Sequence, residues 1–276
     1  MPVEVGFRLA GSPQPLILVP ARVNGVGPVP FILDTGAGSC LLSPALASRA
    51  SVSVTSRETA TGAGGRLDVD LGTAETLALG GAEVRDVPVA ITDELSRIGQ
   101  VVGAAIEGDV GYGFLRHFRL TIDYVRSRLT IFRGGEAPAG EAAPEEVPFR
   151  LAGEKEPLVL VSARIGSGGP FTFAVDTGAS TTVVSRELGR DLGIANGRTA
   201  RMLGGGGHVA GLWGALPTVE VGPTRSHNLG AVVGPFLGPL SEVVGTRLDG
   251  ILGYNFLRQF RVTFDYPAER LGLFPA

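Results

Sequence analysis

The sequence predicts an all-β chain built as two similar lobes about a pseudo-twofold axis, each lobe a small β-barrel or folded sheet with one short helix. Three observations carry that prediction. The 276 residues include 42 Gly and 19 Pro with no collagen-like period, which suits many turns between short strands better than long helices. The apolar runs are short, rich in β-branched residues and bounded by Pro or Gly, as in "PLILVPARV" from Pro15 and "PLVLVSARI" from Pro157. The chain also repeats itself, one half matching the other after a shift of 142 positions.

The repeat can be followed element by element. "FRLAG" starts at Phe7 and again at Phe149, each followed by the β-branched strand just quoted. Gly27, Pro28 and Phe31 recur as Gly169, Pro170 and Phe173, leading into "VPFILDTG" and "FTFAVDTG", strands that end in a turn. A Gly-rich stretch follows in each half. "GYGFLRHFRLTIDY" from Gly111 matches "GYNFLRQFRVTFDY" from Gly253, where "YGFLRHF" and "YNFLRQF" read as the short helix and "FRLTIDY" and "FRVTFDY" as alternating strands. A further helical turn fits only "TDELSRIG" from Thr92. The expected lobes are residues 1–132 and 149–276. Between them "RGGEAPAGEAAPEEVP", 133–148, reads as a surface linker whose prolines weigh against an edge strand or helix.

Composition excludes several classes. At 44% hydrophobic residues the chain can build a sizeable core, so general disorder is excluded. Net charge is −3, and the 24 basic residues, all Arg except Lys155, are scattered, which argues against nucleic acid and membrane surfaces as partners. No apolar run approaches the ~20 residues of a bilayer span, and "MPVEVGF" lacks a signal-peptide pattern, so the expected location is the cytoplasm unless a leader was trimmed. The bias for Arg over Lys suggests a bacterial, GC-rich genome. The single cysteine, Cys40, forbids an intrachain disulfide and reads as a small buried apolar side chain. His117, His208 and His227 have no metal-ligand spacing, so neither a metal nor a cofactor is expected.

The motif that carries chemistry is "DTGA", at Asp34 and again at Asp176. An Asp ending an apolar strand, followed by Thr and Gly, is held on a tight turn at a lobe's surface. Two such turns meeting on a twofold axis would bring two carboxyls together. A close pair cannot ionise fully and shares one proton, so one member can act as base and the other as acid toward a water.

Both halves resemble the retropepsin-like branch of the aspartic peptidases, on Asp34-Thr35-Gly36-Ala37, Asp176-Thr177-Gly178-Ala179 and the later segment "DGILGYNFL", in which Ile251, Leu252 and Gly253 match well. The resemblance implies an acid-protease fold and an endopeptidase that binds a peptide or protein substrate in extended form between the lobes. It is similar in plan to pepsin, with both halves in one chain, hence a monomer. It implies Asp34 and Asp176 as the catalytic pair, Thr35 and Thr177 bonding across the lobe interface, and Gly36 and Gly178 shaping the turns. Ala37 and Ala179 stand where pepsin-like enzymes place a hydroxyl, which favours weakly acidic to neutral activity. The Gly-rich stretches "TGAGGRLDVDLG" and "MLGGGGHVAGLWG" would be flaps, with Gly64, Gly65 and Arg66 in the first and Gly205, Gly206, His208 and Trp213 in the second. The first would offer the cleft Arg66, Asp68 and Asp70; Trp213 reads equally as a subsite wall or a core aromatic.

The first repeat departs from the pattern at Asp109, which aligns with Ile251. Because an unpaired buried charge is costly, the expectation is a local bulge that delivers Asp109 to solvent. The sharper reading is a third carboxylate near the pair that shifts its pKa. Asp123 and Asp265 read as exposed or hydrogen-bonded edge residues. The alternative function is a catalytically silent peptide-binding or scaffold protein of the same fold.

Overall fold

The computed structural model describes residues 1–12, 15–62, 64–133, 146–154, 157–194 and 197–275. In the first half the chain runs β1 (Val3–Gly6), β2 (Arg8–Ala10), β3 (Leu16–Val23) and β4 (Val26–Leu33). The hairpin between β3 and β4 turns on Asn24 and Gly25, both at positive φ (47° and 78°), the backbone that matches the twist of paired strands. Next come β5 (Cys40–Leu42), α1 (Pro44–Arg49), β6 (Val54–Gly62), β7 (Gly65–Leu79), β8 (Ala82–Ile91), α2 (Glu94–Val102), β9 (Gly108–Val110), α3 (Tyr112–Leu115), β10 (Phe118–Asp123) and β11 (Arg128–Arg133).

The second half repeats this order. It comprises β12 (Val147–Pro148), β13 (Arg150–Ala152), β14 (Leu158–Ile165), β15 (Gly168–Val175), β16 (Thr182–Val184), α4 (Arg186–Asp191), β17 (Thr199–Gly204) and β18 (Gly207–Val221). It ends with β19 (Thr224–Val233), α5 (Leu237–Val244), β20 (Gly250–Leu252), α6 (Tyr254–Leu257), β21 (Phe260–Asp265) and β22 (Arg270–Pro275).

The all-β class holds, but each lobe has three described helices rather than one. α1 and α4 start where Ser43 and Ser185 each accept a hydrogen bond from the backbone three residues on, Leu46 N and Leu188 N, both at 3.1 Å. In α1 the cap is followed by Pro44, suited to a first helical position. α2 and α5 occupy the connection into β9 and β20 and stop at Gly103 and Gly245, both left-handed.

The first lobe folds an eight-stranded sheet in the order β2-β3-β4-β9-β5-β8-β7-β6, curled until β3 pairs with β7, and the second the equivalent sheet β13-β14-β15-β20-β16-β19-β18-β17, closed by β14 on β18. β9 lies between β4 and β5, parallel to the first and antiparallel to the second. A third sheet joins the lobes, in the order β1-β11-β10-β21-β22-β12. At its centre Thr121 pairs with Thr263, its own repeat equivalent, their hydroxyls 2.9 Å apart, so the pseudo-twofold axis passes between them.

Two expectations are corrected here. Asp123 and Asp265 lie on the central strands of this sheet rather than at an edge, Asp123 bonded to Arg126 and Asp265 to Arg119. Val147–Pro148, assigned to the linker, pairs with β22 as an edge strand, a place where Pro's missing N–H is tolerated. Arg133, the first linker residue, ends β11, and residues 134–145 lie outside the described residues.

One continuous apolar core runs through both lobes and includes Phe31, Phe114, Phe118, Phe173, Phe256 and Phe264. A satellite cluster sits under each longer helix: Leu18, Ile32, Leu95 and Ile106 below α2, and Leu160, Ala174, Leu237 and Ile251 below α5.

Candidate active site

The site is built at the ends of β4 and β15. The Asp34 N–H donates to the Val110 carbonyl (3.1 Å) and the Asp176 N–H to the Leu252 carbonyl (3.0 Å), so each inserted strand, β9 or β20, fixes the residue that leaves the sheet. Asp34 Oδ1 accepts from Gly36 N (2.7 Å), and Asp176 Oδ1 from Gly178 N (2.8 Å) and Ala179 N (2.9 Å).

The two turns interlock. Thr35 N donates to Thr177 Oγ1 (3.0 Å) and Thr177 N to Thr35 Oγ1 (3.1 Å), while the hydroxyls donate to the Val175 and Leu33 carbonyls at 2.8 and 2.7 Å. Both threonines are buried. Gly36 and Gly178 sit so close to the opposite aspartate that a Cβ on Gly36 would lie 2.3 Å from the Asp176 carboxyl carbon, and one on Gly178 would lie 2.4 Å from that of Asp34. Any larger residue would therefore displace a carboxyl.

The Asp34 and Asp176 carboxyls are within hydrogen-bond reach of each other across the axis. Burial and the Asp34 charge push Asp176 well above the usual carboxylate range, against the pull of the Ala179 and Gly178 amides. Two carboxyls this close do not both ionise fully and share a proton. Two cross-lobe tyrosine pairs also meet here, Tyr124 with Tyr254 (5.6 Å between centroids) and Tyr112 with Tyr266 (6.0 Å). Tyr124 and Tyr266 are buried phenols pushed up first by burial, then by Tyr254 and Asp176 for Tyr124 and by Asp34, Tyr112 and Asp176 for Tyr266. Sequence reasoning passed them over, although they recur at matching places in "TIDY" and "TFDY".

Asp109 overturns the expectation of a bulge. β9 pairs with β4 in unbroken register, Ile32 beside Asp109 as Ala174 is beside Ile251 in the other lobe. Asp109 is only 4% exposed, and its carboxyl lies against that of Asp34. Burial first, then the Asp34 charge and contact, push Asp109 well above the usual carboxylate range, which offsets the cost that argued for solvent.

The Gly-rich stretches form hairpins β6–β7 and β17–β18, whose tips meet: Gly64 N donates to the Gly205 carbonyl at 2.8 Å, with Gly65 and Gly206 alongside. Of the first hairpin's charges, Arg66 and Asp68 line a small cleft of ≈ 250 Å³ together with Glu94, Arg97 and Gly206, a cleft that includes neither Asp34 nor Asp176. Arg66 and Asp68 are exposed, Asp68 accepts from Thr59 (2.9 Å) and Asp70 pairs with Arg57 (2.6 Å), all on one face, while Leu67 and Val69 occupy the other. His208 is exposed, and Trp213 is half-buried, outside the buried core clusters. The tip of the second hairpin reaches the other lobe, where the buried Glu94, paired with Arg97 at 2.5 Å, accepts from Gly206 N at 3.4 Å. A cavity of ≈ 840 Å³ between α1 and α2 includes neither Asp34 nor Asp176. Cys40 is buried, its thiol bonded to the Gly111 carbonyl and pushed up to about 12 by burial. Among the described residues no group of His, Cys, Asp and Glu has an arrangement that could hold a metal.

A family described as "Aspartyl protease" matches the chain twice, over residues 19–114 and 161–256, each match containing one Asp-Thr-Gly turn. No curated protein matches. Among solved structures, the aspartic proteinase from Irpex lacteus superposes with a TM-score of 0.57 at 14% identity, over 100% of this chain and 98% of that one. Basic 7S globulin from soybean superposes with the same score and identity, over 100% of this chain and 95% of that one. At 14% identity both likenesses concern the fold alone.

Proposed function

The chain belongs to the aspartyl protease family, and on that premise we propose that it is an endopeptidase whose Asp34 and Asp176 form one catalytic pair. The observation that supports this reading is the meeting of the two turns across the axis, each aspartate's carboxyl set against the turn glycine of the other lobe, Asp176 on Gly36 and Asp34 on Gly178. An extended peptide would lie between the lobes under the two hairpins, its backbone hydrogen-bonded as an added strand.

Asp34 takes a proton from water as the water oxygen bonds to the scissile carbonyl carbon, and Asp176 gives its proton to the carbonyl oxygen. The tetrahedral diol then loses its C–N bond. The proton held by Asp34 passes to the leaving nitrogen, and a diol hydroxyl returns one to Asp176, so the site is restored and the products are an acid and an amine.

Cleavage of a diverse peptide mixture from pH 3 to 8, read by mass spectrometry, tests this. The wild type is expected to cut, and Asp34→Asn and Asp176→Asn, each alone, to lose about 10²–10⁴-fold in rate. A folded wild type that cuts nothing would instead support the scaffold reading, which the likeness to a protein named a globulin keeps in view.

A further inference from the structure

Asp109 is a buried acid that the mechanism above does not use. It projects from β9, the strand that also holds the Asp34 backbone through Val110. No hydrogen-bond partner reaches its Oδ1, which is fully enclosed. The titratable groups that face it are Asp34, from the turn after β4, and Asp176, from the other lobe. Cys40, on β5 beside the Leu41–Asp109 pairing, is a further titratable neighbour. Ile32, its neighbour in β4, packs with Leu18, Leu95 and Ile106. Two carboxyls in contact in such surroundings attract only if a proton lies between them. The second lobe has Ile251 here, so Asp176 receives no such contact.

We propose that Asp109 is a positioning residue of the site: its O–H donates to Asp34, which fixes Asp34 as the base and leaves Asp176 as the acid. The pair is then unequal before any substrate binds. A hydrogen bond donated to the charged form of a base favours that form. The acidic limb of the pH–rate profile, which reports protonation of the base, is accordingly lower with Asp109 than without it.

This inference rests on the peptidase reading, and its test separates the two. Profiles of kcat/KM from pH 3 to 8 are measured for wild type, Asp109→Asn and Asp109→Ile. In parallel, NMR titration of the same three proteins carrying ¹³C-labelled aspartate counts the carboxyls that remain protonated at neutral pH. Asp109→Ile, which installs the side chain of the other lobe, is expected to raise the acidic limb by about one pH unit. Asp109→Asn, whose amide can still donate, should hold the limb near the wild-type position, and both variants should show one protonated carboxyl fewer. Superposable profiles for wild type and Asp109→Ile would overturn the proposal, as would an unchanged count of protonated carboxyls. A wild type without activity would remove the peptidase reading, yet the NMR count would still decide whether Asp109 carries a proton. If Asp109→Ile does not fold, the count in wild type against Asp109→Asn decides.

Discussion

The residues that lock the site do so through few, buried bonds. Thr35→Val removes a hydroxyl that both donates to Val175 and accepts from Thr177, leaving a carbonyl and an amide without partners at the interface. It should cost about 2–4 kcal/mol in urea unfolding, and Thr35→Ser, which keeps the hydroxyl, much less. Equal losses for Val and Ser would refute this account of the interlock. Asp34 and Asp176 were legible in the sequence because the repeat placed the same turn twice. The burial of Asp109 was not legible, because the argument from charge cost assumed an ionised side chain. Burial first, and then a carboxyl 75 positions away in sequence, push it well above the usual carboxylate range.

At the scale of elements, the hairpins were readable from their glycines, and the outward face of the first could have been read from alternation. Arg66, Asp68 and Asp70 stand two apart, with Leu67 and Val69 between them, the pattern of a strand with one face wet. The serine caps of α1 and α4 were likewise visible in "SPALASR" and "SRELGRD", but six-residue helices leave too little periodicity to register. The two hairpins differ in how their tips are held. Glu94 accepts from Gly206 of the second, while the repeat equivalent of Glu94 is Phe236, which has no such acceptor to offer the first. Glu94→Ala is expected to lower hydrogen-exchange protection at Gly204–Gly207 about three- to tenfold, with the Gly62–Gly65 tip less affected. Equal loosening of both tips would show that Glu94 does not act on one hairpin in particular.

For the whole molecule, buried protonated acids tie stability to pH. Asp109 and Asp176 bind their protons more tightly folded than unfolded, where an aspartate titrates near ~3.9. Their contribution is fully present below that value and is lost as pH rises through the raised folded range. Wild type should therefore lose stability from mildly acidic to alkaline pH. Asp109→Ile should gain in Tm relative to wild type as pH rises to 8, by about 2–4 °C for each kcal/mol relieved, with the pH-dependent part of the gap closing toward pH 4. A gap that does not change with pH would contradict this. The duplication was plain in the sequence, but the sheet shared by the halves was not. Nothing in the local pattern of "FRLTIDY" says that it pairs with "FRVTFDY" rather than with a strand of its own lobe.

The pairing of Thr121 with Thr263, and of Thr35 with Thr177, has a historical consequence. Contacts between repeat equivalents are those that two identical chains would have made, so they survive fusion of two gene copies without change. Positions away from the axis are different. In a dimer of identical chains, a mutation to aspartate at the Asp109 position would arrive in both subunits at once and crowd four carboxyls around one water. In a single chain it arrives once, and the other copy keeps Ile251, so covalent linkage permits at this site an asymmetry that two identical chains do not have.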